Sequence, residues 1–111
     1  MKLVKFKKNI AINILVIFIS LNSQASPDCA TATELVGKNW DIVTKIFDLC
    51  QNPNSDKAKV RKLVERTFTN LSKASVNCIS QCSNYADNLK FCKESYDQIP
   101  DTKNQVLEIC N

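Results

Sequence analysis

The residues of this chain best able to do chemistry are six cysteines: Cys29, Cys50, Cys78, Cys82, Cys92 and Cys110. A nucleophilic thiol needs a neighbouring base, and histidine is absent. Its absence removes the usual Ser-His and Cys-His pairs and the commonest metal ligand. A thiol-disulfide oxidoreductase uses a close Cys-x-x-Cys pair, whereas Cys78 and Cys82 are separated by three residues. A zinc site favours Cys-x2-Cys pairs or histidines, and neither is present. The cysteines therefore read as structural, with no metal and no cofactor expected. Among the carboxylates, Glu34, Asp41 and Asp48 recur every seven residues. Paired acids of this kind serve hydrolysis, but on one side of a helix they read as a solvated face. One glycine is too few for a phosphate-cradling loop. No enzymatic activity is expected.

The remaining candidate for function is a basic cluster, Lys57, Lys59, Arg61, Lys62 and Arg66, diluted by Asp56 and Glu65. It opens a segment read below as a helix. Cations at a helix start oppose its dipole, so local stability does not explain them. Such a cluster suits an anionic partner, whether a lipid headgroup or other anionic surface, a glycan, a nucleic acid or an acidic protein patch; its ordinary reading is a solvated face. Trp40, Tyr85 and Tyr96 fall on apolar stripes and read first as core. Asn70-Leu71-Ser72 is a glycosylation sequon, of use only in a eukaryotic host.

The elements that carry these residues begin after a leader. Lys2, Lys5, Lys7 and Lys8 precede an apolar run from Ile10 to Leu21, and Ser23-Gln24-Ala25 supplies small residues for a cut. The run is too short for a comfortable membrane span, which needs roughly 20 residues. Residues 1–25 therefore read as a cleaved signal peptide, and residues 26–111 as a single helical cysteine-rich domain. All 11 acidic residues and 11 of the 15 basic ones lie in that domain, which is formally neutral. Neutrality argues against non-specific nucleic-acid binding and against stable membrane insertion. The expected location is extracellular, or periplasmic if the source is a Gram-negative bacterium. In an exported chain of this size, six cysteines most simply make three disulfides.

Apolar spacing along the domain is helical. Cys29, Ala32, Val36, Trp40, Val43, Phe47 and Cys50 step by three or four residues, with Leu35, Ile42, Ile46 and Leu49 widening the stripe. Val60, Val64, Phe68, Leu71, Ser75, Cys78 and Cys82 repeat the rhythm, which runs on through Tyr85, Leu89, Cys92, Tyr96 and Ile99. Breaks are expected at Pro53, at Ser83-Asn84 and at Pro100, and Thr102 with Gln105 fits a capping box. The expectation is an all-α, disulfide-stapled bundle of about four helices, over residues 27–51, 55–82, 84–98 and 102–110. Cys29 and Cys50 sit at opposite ends of the first helix. Cys78 and Cys82, one turn apart, must reach different elements. Antiparallel packing then favours Cys29 with Cys82, Cys78 with Cys92, and Cys50 with Cys110.

The stretch Cys78-x3-Cys82-x9-Cys92, with Phe91 before the last cysteine, resembles the end of the arthropod neurohormone and helical-toxin framework. Saposin-like membrane-active proteins are similar in carrying six cysteines on helices. Both frameworks begin with a close cysteine pair that this chain lacks, and no site is carried over from either. The expected function is that of a secreted, non-catalytic binding protein: a toxin, effector, hormone-like ligand or inhibitor. The alternatives are a bacterial periplasmic immunity or inhibitor protein and a membrane-active helical protein.

Overall fold

A computed structural model describes residues 26–111; the expected signal peptide lies outside the described residues. Three helices of equal length follow one another: α1 (Pro27–Gln51), α2 (Lys57–Gln81) and α3 (Ala86–Cys110). Each has 25 residues and is about 37 Å long. Short turns make the order up-down-up, so α1 and α3 run parallel. Every pair of helices is in contact, in a body of 44 × 24 × 19 Å. The all-α class expected from the periodicity is present, and the described residues contain no strand.

Local chemistry sets the helix ends. Ser26 caps α1 by accepting from the Cys29 amide at 3.3 Å, and Pro27 occupies the first turn, where a missing N–H costs nothing. Asn52 closes the first turn of chain reversal through its side chain, which accepts from the Asn54 amide at 2.9 Å. Asp56 then caps α2, accepting from the amides of Ala58 and Lys59. The second reversal lies at Cys82–Tyr85, and Tyr85 begins α3 without a side-chain cap. Ser83 and Asn84, expected to cap the third helix, sit in this turn.

The expected fourth helix does not exist. Pro100 lies inside α3, and residues 86–98 and 102–110 belong to one element. A proline removes the hydrogen bond to the carbonyl four residues earlier, here that of Tyr96. Both Tyr96 and Pro100 are exposed, so water can take the freed carbonyl. On the opposite side Ile99, Thr102, Val106 and Cys110 are buried, and they hold the helix on its neighbours across the defect. The capping box expected at Thr102 and Gln105 is absent for the same reason: Thr102 is buried in mid-helix, and its hydroxyl has no partner among the described residues.

The core is a single cluster built from all three helices, with Trp40, Phe47, Ile46 and Leu71 its largest fully buried members. Three disulfides staple it. Cys29–Cys82 joins the start of α1 to the end of α2, Cys78–Cys92 joins α2 to α3, and Cys50–Cys110 joins the end of α1 to the end of α3. Their Cα separations are 4.9, 5.5 and 4.7 Å in that order. Two sequence expectations fail at the edge of the core. Leu35, Ile42 and Leu49 are exposed instead of widening the buried stripe, and Tyr96 is exposed as well.

A polar seam runs through the interior. Asn88, Ser95 and Thr102 recur every seven residues on α3, and all are buried. Asn88 Nδ2 donates to Thr33 Oγ1 at 3.2 Å. One heptad on, Trp40 Nε1 donates to Ser95 Oγ at 2.7 Å, and Ser95 shares a 2.9 Å hydroxyl contact with Ser75 of α2. Thr33 and Trp40 are also seven residues apart, so two polar rungs fix the register of α1 against α3. Buried polar groups are costly unless paired, which makes such rungs selective for one alignment.

Candidate binding surfaces

The structure separates the five cations of the expected cluster. Lys57 turns inward, and its ammonium donates to the Cys50 carbonyl in the last turn of α1. A cation there satisfies an orphan carbonyl and complements the negative end of α1. Lys57 is therefore explained by structure. Lys59, Lys62 and Arg66 are exposed, and their spacing of three and four residues aligns them on the side of α2 opposite its buried face. Lys73, two turns beyond Arg66, continues the line. Among the described residues none of Lys59, Lys62, Arg66 and Lys73 has an ion pair. Arg61 lies on the flank near Glu65, whose carboxylate is held by Lys103 of α3 at 2.8 Å. That contact adds a cation beside Glu65 and leaves the patch positive.

Two of the sevenfold acids pair with lysines on their own helix. Glu34 pairs with Lys38 at 3.1 Å and Asp41 with Lys45 at 3.4 Å, both one turn along α1 and exposed. Asp48 has a contact of its own. None of the three acids lines the grooves described below.

The sulfurs of Cys78, Cys82 and Cys92 lie within 4.8 Å of one another and are buried. They belong to two adjacent disulfides. Thr33 Oγ1 stands beside both, 3.6 Å from Cys82 Sγ and 3.9 Å from Cys78 Sγ, and donates to the Cys29 carbonyl at 2.8 Å. This packing fits a structural staple.

Grooves flank the outer ridge of α2. Between α1 and α2 is an open groove of about 600 Å³, with Leu35 and Ile42 on one wall and Asn70, Lys73 and Asn77 on the other. A smaller groove of about 360 Å³ continues it past Thr31 and Gln81. On the α3 side, Val76 and Tyr96 line a third. The sequence reading missed these surfaces because it assigned Leu35, Ile42 and Tyr96 to the core. Spacing alone gave no signal, because Cys29, Val36, Val43 and Cys50 repeat every seven residues on the same helix and are buried.

Among the described residues no helix is long and apolar enough to cross a membrane. No family model, curated protein or solved structure matches this chain.

Proposed function

We propose that this chain is an exported, non-catalytic binding protein that engages an acidic partner through the outer face of α2. The observation that carries this reading is the line of Lys59, Lys62 and Arg66, exposed and without ion pairs among the described residues. Lys59 lies in the first turn of α2, where the dipole disfavours a cation. The patch stands out in a domain that is formally neutral as a whole. Three disulfides support the rest of the reading. A stapled scaffold holds its surface fixed, so little ordering entropy is lost on binding.

The contact is largely electrostatic on this view. Its association rate falls as salt rises, because exposed charges are screened beyond about 8 Å at physiological ionic strength. The test is the association of the oxidised protein with a poly-glutamate surface at low and physiological salt, for the parent and for K59Q/K62Q/R66Q. The expected result is a salt-dependent association that the triple variant slows by about tenfold. The three side chains are exposed, so circular dichroism of the variant should match that of the parent. Equal rates for parent and variant would overturn the proposal.

A further inference from the structure

Leu35, Ile42 and Leu49 are 48, 38 and 39 % exposed. They stand seven residues apart on one line of α1, a ridge about 21 Å long. Leu35 and Ile42 form the α1 wall of the large groove, and Lys73 with Asn70 and Asn77 forms the α2 wall. The floor is supplied by Asn39 and Ala74, both nearly buried. Asn39 is held in place by the bond from its Nδ2 to the Leu35 carbonyl at 2.9 Å. Lys38, paired with Glu34, adds a charged rim to the α1 side. The groove is thus apolar at Leu35 and Ile42 and carries its one cation without an ion pair among the described residues, Lys73, with two amides along α2. Lys73 joins this wall to the line of Lys59, Lys62 and Arg66.

We infer that this groove seats an amphipathic helix of an acidic partner protein, with its apolar stripe against α1 and its carboxylates against α2. The inference rests on the reading of the chain as a binder of acidic partners. A seven-residue ridge matches the i, i+3/i+4, i+7 anchors of a helix laid nearly parallel to α1. A groove open along its length does not enclose a small ligand, which normally buries most of its surface. A second copy of this chain is a poor occupant. Its own ridge is bordered by the Glu34–Lys38 and Asp41–Lys45 pairs, which leave no net negative charge to meet Lys73, and three half-exposed side chains fall well short of a stable dimer's interface.

The probe is a fluorescent helix-forming peptide of about 20 residues, with leucine at the a and d positions of a heptad and glutamate along one flank. Comparison peptides carry lysine in place of glutamate, or serine in place of leucine. The oxidised protein should bind the acidic leucine peptide at least about tenfold more tightly than either comparison. Leu35→Ser with Ile42→Ser should weaken that binding about tenfold. These residues are exposed, and an unchanged circular dichroism spectrum verifies the fold. Lys73→Glu should narrow the preference for glutamate over lysine. Val76→Ser with Tyr96→Ser, in the groove on the α3 side, should leave binding unchanged.

Equal binding of the leucine and serine peptides would overturn the inference, as would dependence on Val76 and Tyr96 instead of Leu35 and Ile42. A dimer of the parent, seen by sedimentation and lost in the Leu35→Ser, Ile42→Ser variant, would assign the groove to a second copy and also overturn it. If poly-glutamate association survives while peptide binding fails, the groove inference alone falls. If leucine-dependent binding persists without preference for glutamate, the acidic-partner reading falls.

Discussion

Ser95 shows how one small polar residue can organise a helical core. Its hydroxyl accepts from Trp40 Nε1 and meets Ser75, so three helices converge on one oxygen. Replacing it with alanine leaves the indole N–H of a fully buried tryptophan without its acceptor. Ser95→Ala is therefore expected to destabilise the protein by about 1–3 kcal/mol, read from urea unfolding followed by tryptophan fluorescence. A loss well below that range would mean that the rung is dispensable. Lys57 makes the contrasting case. In the sequence it belongs to a basic cluster, yet its ammonium closes the end of α1. Lys57→Gln should lower stability slightly and leave association with poly-glutamate close to the parent rate, unlike the Lys59, Lys62 and Arg66 changes. A poly-glutamate rate that falls as far as in the triple variant would return Lys57 to the binding face.

At the scale of elements, α3 is the informative helix. An interior proline costs about 3 kcal/mol relative to alanine, partly offset because proline also restricts the unfolded chain. Pro100 keeps its place on the exposed side, while the packed side carries Ile99, Thr102 and Val106. Pro100→Ala restores the missing hydrogen bond to the Tyr96 carbonyl. It should stabilise the protein by about 1–2 kcal/mol, seen as a raised melting temperature. An unchanged or lowered melting temperature would mean that α3 is kinked there for a packing reason. The caps are simpler. Asp56 accepts two amides at the start of α2, and Asp56→Ala should cost about 1 kcal/mol.

At the scale of the molecule, the disulfides tie both ends of the bundle. Cys50–Cys110 spans 60 residues and fixes the part of α3 beyond the proline. Chain-entropy arguments put a loop of that length at about 4 kcal/mol, a large share of the roughly 5–15 kcal/mol that stabilises a domain. Cys50→Ala with Cys110→Ala should therefore lower stability by about 2–4 kcal/mol and speed amide hydrogen exchange over residues 101–110 more than elsewhere. Uniform loss of protection across all three helices would show instead that the bundle opens as one unit.

The sequence by itself determined the helical class, because a three-and-four apolar rhythm with few helix breakers suits little else. It also determined the end of α1 at residue 51 and the start of α2 to within two residues, 55 expected against 57 found, since Asn52, Pro53 and Asp56 carry their turn and cap chemistry locally. The number of helices was decided by tertiary packing. Whether Pro100 breaks a helix depends on which side of α3 faces water, and no local signal carries that. The edge of the core was decided in the same way. Leu35, Ile42 and Leu49 are as apolar as their buried neighbours, but α2 is narrow beside Ala74 and presents Asn70, Lys73 and Asn77 there, so nothing covers the ridge from within the described chain. The polar seam is the converse. Asn88, Ser95 and Thr33 look like surface residues in the sequence, and only the parallel alignment of α1 and α3 gives Asn88 and Ser95 the partners that let them be buried. Hydrophobic period is a property of one helix, whereas burial and hydrogen-bond satisfaction are properties of pairs.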